Sequence, residues 1–229
     1  MDAFMDAFIE SFRQNLLVGD RWIQLLKGLG VTMNITIWAM IIGTIVGTVL
    51  ALMKISKLTI LRGIASVYID IVRGIPLVTQ LLIMYFVVFA SAGVSRNLVA
   101  IITFGLNSGG YVAEIIRSGI VGVDKGQLEA GRSLGLTHAQ AMTHIVMPQA
   151  IKNFLPTYAS EFIVLIKETA VVGYIAIEDL TKIADIIRSR TFDAFFPLIT
   201  AALMYLIITT ILSKLFGYLE RRMRASDNR

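Results

Sequence analysis

Long apolar stretches separated by short polar segments make up most of this chain. Three of them carry no charged residue and span residues 31–53, 74–95 and 194–213, each close to the roughly 20 helical residues that cross a bilayer. Two more, residues 97–113 and 153–177, meet or contain charged side chains, so they can cross only where those charges face protein or a cavity. The pattern predicts an all-α integral membrane protein with five membrane-spanning helices.

The composition agrees with a lipid environment and argues against catalysis by this chain. Hydrophobic residues occupy 56% of the 229 positions, whereas ordinary soluble domains are about 45–50% apolar. The chain has no cysteine, which excludes disulfides and thiolate metal sites. His138 and His144 have no ligand set nearby, and no GxxxxGK[ST] phosphate loop occurs, so we predict neither a metal nor a cofactor in this chain. Without repeats or linkers, residues 1–229 are predicted to form one domain.

The distribution of aromatic and basic residues predicts an orientation. Phe4, Phe8 and Phe12 recur at helical spacing, so residues 1–27 are expected to form an amphipathic N-terminal segment on the outer surface. If the polar segment at residues 122–150 is cytoplasmic, most of the 21 Lys and Arg residues lie inside, as the positive-inside rule requires. We expect an outer N-terminus and a cytoplasmic C-terminus. The net charge of +5 is then explained by topology and does not indicate a nucleic-acid partner.

The polar segment at residues 122–150 separates the third and fourth predicted spans. It contains the stretch EAGRSLGLTHAQAMTHIVMP, in which a short helix near Glu129 is stopped by Gly135. Such a rigid helix–turn–helix can fit a groove on a soluble partner and transmit its motion. We therefore predict a cytoplasmic coupling hairpin with Glu129 as its docking residue.

This hairpin resembles the EAA motif of bacterial ABC importer permeases. That motif reads Glu-Ala-Ala, three residues, Gly, nine residues, then Ile-x-Leu-Pro, and both spacings are kept between Glu129, Gly135 and Pro148. The chain departs from the motif at Gly131, where the family has Ala, and at Met147, where it has Leu. Residues 68–80, 106–120 and 161–175 are similar to segments of the polar amino acid permeases, above all those for arginine and related basic amino acids.

The resemblance implies a set of partners and a bacterial inner-membrane location. The family assembles two permease subunits, here a second copy or a paralogue, with two cytoplasmic ATPase subunits that carry ATP and Mg. An extracellular solute-binding protein delivers the substrate. The residues that the motif assigns to ATPase coupling are Glu129, Ala130, Gly131, Gly135, Leu136 and Pro148.

Ionisable residues within predicted spans are the candidates for substrate binding, because each costs roughly 2.5–3.5 kcal/mol to insert. The candidate set is Asp70, Asn107, Ser108, Tyr111, Glu114, Glu161 and Lys167. Lys167 and Glu114 could bind the α-carboxylate and α-ammonium of a free amino acid, with Asp70 or Glu161 binding a basic side chain. The alternative is that these charges form interhelical salt bridges, and Arg117 is placed to pair with Glu114 at an i, i+3 spacing.

These observations predict the transmembrane subunit of an ATP-driven importer that moves a polar amino acid, a basic one favoured, by alternating access. One alternative is an ATP-independent channel or secondary transporter, for which the hairpin would be a regulatory loop. Another is an intramembrane hydrolase, which would need two buried carboxylates sharing a proton. A lysine at position 167 beside those carboxylates argues against such a pair.

Overall fold

The computed structural model describes residues 2–225, with side-chain environments over residues 5–223, and contains no β-strand in that part of the chain. Ten α-helices follow one another, joined in places by short π or 3-10 turns. They are α1 (Asp2–Phe12), α2 (Arg21–Ile55), α3 (Thr59–Gly74), α4 (Leu77–Ile83), α5 (Arg96–Val121), α6 (Lys125–Ser133), α7 (His138–Ala141), α8 (Met147–Glu168), α9 (Leu180–Thr191) and α10 (Phe195–Ala225). The all-helical fold predicted from the sequence is confirmed.

Two of the three uncharged spans predicted from the sequence, residues 31–53 and 194–213, correspond to helices long enough to cross a membrane, whereas the third, residues 74–95, starts at the last residue of α3 and is otherwise helical only from Leu77 to Val88. By length and apolarity, the described residues contain three such helical stretches, Met5–Ile55, which includes the turns between α1 and α2, Arg96–Val121 and Phe195–Met223. A fourth span would be the pair α3 and α4, which meet at a bend of 103°. The remaining predicted span corresponds to α8, a 22-residue helix that is less apolar because it carries four charged residues. The count of five spans stays a prediction.

The centre of the bundle is the close contact between α2 and α5, which run parallel. Gly43 and Gly47 of α2 face Gly105 and Gly109 of α5, so each helix presents two glycines four residues apart. A Cβ atom built on Gly47 would lie 2.9 Å from the carbonyl oxygen of Gly109. Small residues at this spacing let helix backbones approach closely.

The two ends of the bundle differ in structure. The hairpin of α6 and α7 follows α5 and leads into α8, so the C-terminus of α5, the N-terminus of α8 and the last residues of α10 lie at what we call the hairpin end. At the opposite, far end, Phe8 and Phe12 of α1 pack on Phe196 of α10 with ring centroids 5.0 and 5.8 Å apart. Within the described residues, α1 therefore lies at the far end and the last residues of α10 lie at the hairpin end.

A buried aspartate fixes the far end. Asp179 is fully buried and caps α9, accepting hydrogen bonds from the backbone N–H groups of Thr181 and Lys182 at 3.2 and 2.9 Å. Its carboxylate also accepts a hydrogen bond from the Tyr205 hydroxyl of α10 at 3.3 Å. Burial raises the pKa of Asp179, while these hydrogen bonds act in the other direction. The residue thus links α9 to the neighbouring helix α10.

Candidate functional site

A break between α3 and α4 opens the middle of the bundle to polar groups. Pro76 has no N–H and forces the preceding Ile75 into an extended conformation, so α3 ends at Gly74. The carbonyl groups left without helical partners are taken up by the Gln80 side-chain amide, which donates to Val72 at 2.7 Å and to Ile75 at 2.8 Å. Gln80 therefore holds the geometry of the broken helix.

A polar cluster lies beside this break, near the middle of the 26-residue α5. Ser108 is fully buried and donates a hydrogen bond from its hydroxyl to the Glu161 carboxylate of α8 at 3.2 Å. The Asn107 amide donates to the Val72 carbonyl at 3.4 Å. The Arg73 guanidinium lies 5.1 Å from the centroid of the Tyr111 ring, a cation–π contact. Polar groups of α3, α5 and α8 therefore converge at mid-depth of the helix bundle, about halfway between the hairpin end and the far end.

The charges around this cluster are of both signs. The Arg73 cation attracts the Glu161 carboxylate, and the carboxylate of Glu168, two turns further along α8, repels it. Glu161 is only partly exposed, whereas Arg73 is exposed at the edge of α3. A carboxylate held at this depth is costly unless a cation or a hydrogen-bond donor meets it. In this cluster the Ser108 hydroxyl and the nearby Arg73 cation meet the Glu161 carboxylate.

Glu114 occupies a different environment, two helical turns closer to the hairpin end. Its carboxylate bonds the ammonium group of Lys54 at the end of α2 and accepts from the Arg117 guanidinium at 2.9 Å. The salt bridge that the sequence left open as the alternative is therefore present, with Lys54 as an additional partner. A ligand role for Glu114 stays a prediction.

Two further candidates lie at exposed positions. Asp70 is exposed on α3, one turn before Arg73, and forms no hydrogen bond or ion pair within residues 5–223. Lys167 is exposed near the far end of α8. Of the seven predicted residues, the structure brings together Asn107, Ser108, Tyr111 and Glu161. Sequence reasoning gave Arg73 no role in this cluster, although its position just before Gly74 and Pro76 was a usable signal.

The coupling hairpin has the predicted helix–turn–helix geometry. Gly135 adopts a φ of +89°, and the N–H of Leu136 bonds the carbonyl of Gly131 at 3.2 Å, so α6 closes with a Schellman cap. Thr137 then caps the next helix in a capping box with Gln140. The turn is therefore fixed by local hydrogen bonds at both helix ends.

The coupling residues predicted from the motif differ in exposure, and one further residue of the hairpin is strongly exposed. Glu129 and Ala130 are exposed, and Glu129 forms no ion pair among the described side chains. Gly131 is buried, and a Cβ on it would lie 2.6 Å from the end of the Ile145 side chain. Leu134, at the turn, is 84% exposed and was not singled out from the sequence. Leu136 is half-buried at the turn and Pro148 is the second residue of α8.

Comparison with known proteins decides the family. The family described as the binding-protein-dependent transport system inner membrane component matches residues 39–225. This chain belongs to that family. The permease is 39% identical over 201 residues to the putative glutamine transport system permease protein GlnP of Rickettsia typhi, covering 87% of this chain and 92% of GlnP. It is 38% identical over 205 residues to the arginine transport system permease protein ArtQ of Bacillus subtilis, covering 89% and 94% of the two chains.

Solved structures give the same assignment. The permease superimposes with a TM-score of 0.81 and 45% identity on a chain of a crystal structure described as an amino acid ABC transporter with histidines, covering 87% of the permease and 94% of that chain. A chain of the MetNI methionine ABC transporter has a TM-score of 0.77 at 19% identity, which supports the fold alone. The resemblance to amino acid ABC permeases identified from the hairpin is confirmed, and the protein is a multi-pass inner-membrane transport subunit.

Proposed function

We propose that this permease forms part of the path by which an ATP-driven importer moves a polar amino acid across the membrane, with a basic amino acid such as arginine favoured. The observation that carries the proposal is the Glu161 carboxylate, held by Ser108 at mid-depth of the helix bundle. A carboxylate there can form charge-assisted hydrogen bonds with a guanidinium or ammonium group. Similar proteins named for arginine and for glutamine transport support the substrate class.

The proposed substrate-binding set is the one predicted from the sequence. It comprises Asp70, Asn107, Ser108, Tyr111, Glu114, Glu161 and Lys167. The contacts around Ser108 and Glu161 support four of these directly, because they converge in one cluster. The α-carboxylate of an amino acid needs a cation, and Arg73, whose guanidinium lies over the Tyr111 ring, is a second choice beside Lys167.

Energy enters through the hairpin in this proposal. Two cytoplasmic ATPase subunits, which carry ATP and Mg, bind the hairpins of this permease and of a second copy or paralogue, and an extracellular binding protein delivers the substrate. Glu129 and the exposed Leu134 form the docking surface, while Gly131 packs tightly against Ile145 just before α8. Because these contacts join α6 rigidly to α8, motion of the ATPases moves the helix that carries Glu161.

The orientation follows from the same assignment. The hairpin end faces the cytoplasm together with the C-terminus, and the far end, with α1 and α9, faces outward. ATP closure turns the path outward to accept substrate, and hydrolysis returns it inward. This chain binds and orients the substrate and performs no hydrolysis itself.

A reconstituted complex tests the proposal. The permease, its ATPase and its binding protein are placed in liposomes, and uptake of labelled arginine is competed with histidine, glutamine and cystine. Glu161→Gln should reduce the preference for arginine over glutamine roughly tenfold, the loss of one charge-assisted hydrogen bond. Asp6→Asn, which removes an exposed carboxylate on α1, serves as control. An unchanged preference in Glu161→Gln would remove Glu161 from the site, and uptake without ATP would favour a channel or secondary transporter.

A further inference from the structure

A cavity lies at the far end of the bundle, away from the Ser108 and Glu161 cluster. Its volume is about 540 Å³, and it opens between the start of α5 and the segment that joins α8 to α9. Arg96 and Glu178 both line it. No ion pair joins them in the described part of the chain, so two opposite charges face one cavity without closing on each other.

The position of Arg96 is set by a helix cap. The 3-10 turn after α8 ends in a Schellman motif, in which the N–H groups of Ala176 and Ile177 bond the carbonyls of Gly173 and Val172 at 3.1 and 3.3 Å. Ala176 fills the left-handed position, with a φ of +56°, where glycine is usual. Its carbonyl oxygen accepts a hydrogen bond from Arg96 Nη1 at 3.0 Å. The guanidinium is thereby held at the cavity by backbone geometry.

The helix dipole of α5 adds to the positive charge that the Arg96 guanidinium brings to this side of the cavity. Arg96 is the first residue of α5, whose N-terminal N–H groups carry the positive end of the helix dipole. A guanidinium has five N–H donors, and the contact with Ala176 uses one of them. Donors for a carboxylate therefore remain available at this side of the cavity.

The Glu178 side chain supplies the negative side. It is exposed and forms no hydrogen bond or ion pair with any other residue that the structure describes. Val31, Tyr85 and Ile177 add apolar groups to the lining of the cavity, and Ser95 and Asn97 add polar groups. The lining of the cavity thus carries one positive and one negative side chain among polar and apolar groups.

We propose that this cavity is a receiving subsite for the backbone of an α-amino acid, in which Arg96 binds the α-carboxylate and Glu178 binds the α-ammonium group. An α-amino acid zwitterion carries its carboxylate and its ammonium group on one Cα atom, so both groups can enter one cavity and each can meet a side chain of opposite charge. The subsite recognises the part that all amino acids share, whereas the mid-depth cluster selects the side chain. The inference rests on the proposed function, because it takes the far end to be the outer face of an amino acid importer.

Binding of labelled L-arginine to the purified transporter complex, without its binding protein, tests the subsite. The measurement is made in the wild type and in a Glu161→Gln background that weakens the mid-depth site. Arg96→Gln and Glu178→Gln should each weaken the arginine binding that persists in that background by roughly tenfold. The control is Asp185→Asn combined with Arg188→Gln, which removes an exposed ion pair of α9 outside the cavity and should change binding by less than about twofold.

Binding of ligand analogues shows which charged group of arginine each side chain contacts. Arg96→Gln should not affect binding of decarboxylated arginine, and Glu178→Gln should not affect binding of N-acetyl-arginine, since each analogue lacks the group in question. Unchanged arginine binding in both variants would overturn the subsite, as would a complete absence of binding in the Glu161→Gln background. If arginine binding is unchanged and a separate measurement with the binding protein shows weaker docking in these variants, the subsite is overturned in favour of a protein contact. Failure of the wild-type complex to take up any amino acid would instead refute the proposed function.

Discussion

The close contact of α2 and α5 predicts opposite effects for the same substitution at two positions of one helix. Gly47 and Gly30 both lie within α2. A Cβ on Gly47 would lie 2.7 Å from Cβ of Val112 and 2.9 Å from the Gly109 carbonyl oxygen, whereas a Cβ on Gly30 would meet no atom within 4 Å. Gly30→Ala is therefore a matched control for Gly47→Ala.

The expected change in the free energy of unfolding is the sum of a favourable helix-propensity contribution and an unfavourable steric contribution. Replacing glycine by alanine in a helix is worth up to about 1 kcal/mol at either position. Overpacking costs about 1–3 kcal/mol, and the Gly47 site lies at the upper end because a β-branched side chain and a backbone carbonyl cannot rotate away. Gly30→Ala should therefore stabilise the permease by up to about 1 kcal/mol, and Gly47→Ala should destabilise it by about 2 kcal/mol.

The assay is reversible unfolding of the purified permease in detergent, followed by circular dichroism, with both variants measured beside the wild type. A difference near 3 kcal/mol between the two variants is expected. Equal shifts in the free energy of unfolding would show that the two helices do not approach as closely as described. The close packing of α2 against α5 at these glycines would then be refuted.

Three further substitutions test individual contacts. Ala176→Gly should raise the free energy of unfolding by up to about 1 kcal/mol, because relief of the left-handed strain of alanine exceeds the added chain entropy of glycine; a lower melting temperature would contradict this. Glu114→Gln should cost about 1–3 kcal/mol by leaving two cations without their carboxylate, and adding Lys54→Met should restore part of the loss; no rescue would deny the ion pair. Burial raises the pKa of Asp179 above its ordinary 3.8, so the contribution of this carboxyl to stability is greatest below that value and is lost as the pH rises through the raised pKa. Asp179→Asn should remove this dependence in denaturation curves measured across pH, and an unaltered curve would refute it.

Much of the architecture could be predicted from the sequence because it depends on local patterns. The length of the apolar stretches predicted the long helices. The spacing from Glu129 to Pro148 predicted the hairpin, because the cap at Gly135 depends only on neighbouring residues. Gly43 and Gly47 have a spacing that allows close helix contact, but the glycines that face them, Gly105 and Gly109, lie more than 60 residues further along the chain, so no local pattern identifies α5 as the partner helix.

The contacts that define the candidate site could be predicted only in part. Charges within spans marked Glu114 and Glu161 alike, but only tertiary packing gives Glu114 its partner Lys54 and gives Glu161 its partner Ser108. The 103° bend depends on Gln80 satisfying two carbonyls across the break, which a hydropathy pattern does not encode. Pro76 predicts where the helix breaks, but it does not predict the angle between α3 and α4.

In the proposed function, energy reaches this membrane subunit through the exposed hairpin. Uptake and ATP hydrolysis are measured together in the reconstituted complex for Glu129→Lys, with Glu10→Lys, the same change at an exposed position of α1, as control. Glu129→Lys should abolish both substrate-stimulated hydrolysis and uptake while the permease still inserts, and Glu10→Lys should leave both intact. Normal coupling in Glu129→Lys would contradict the account.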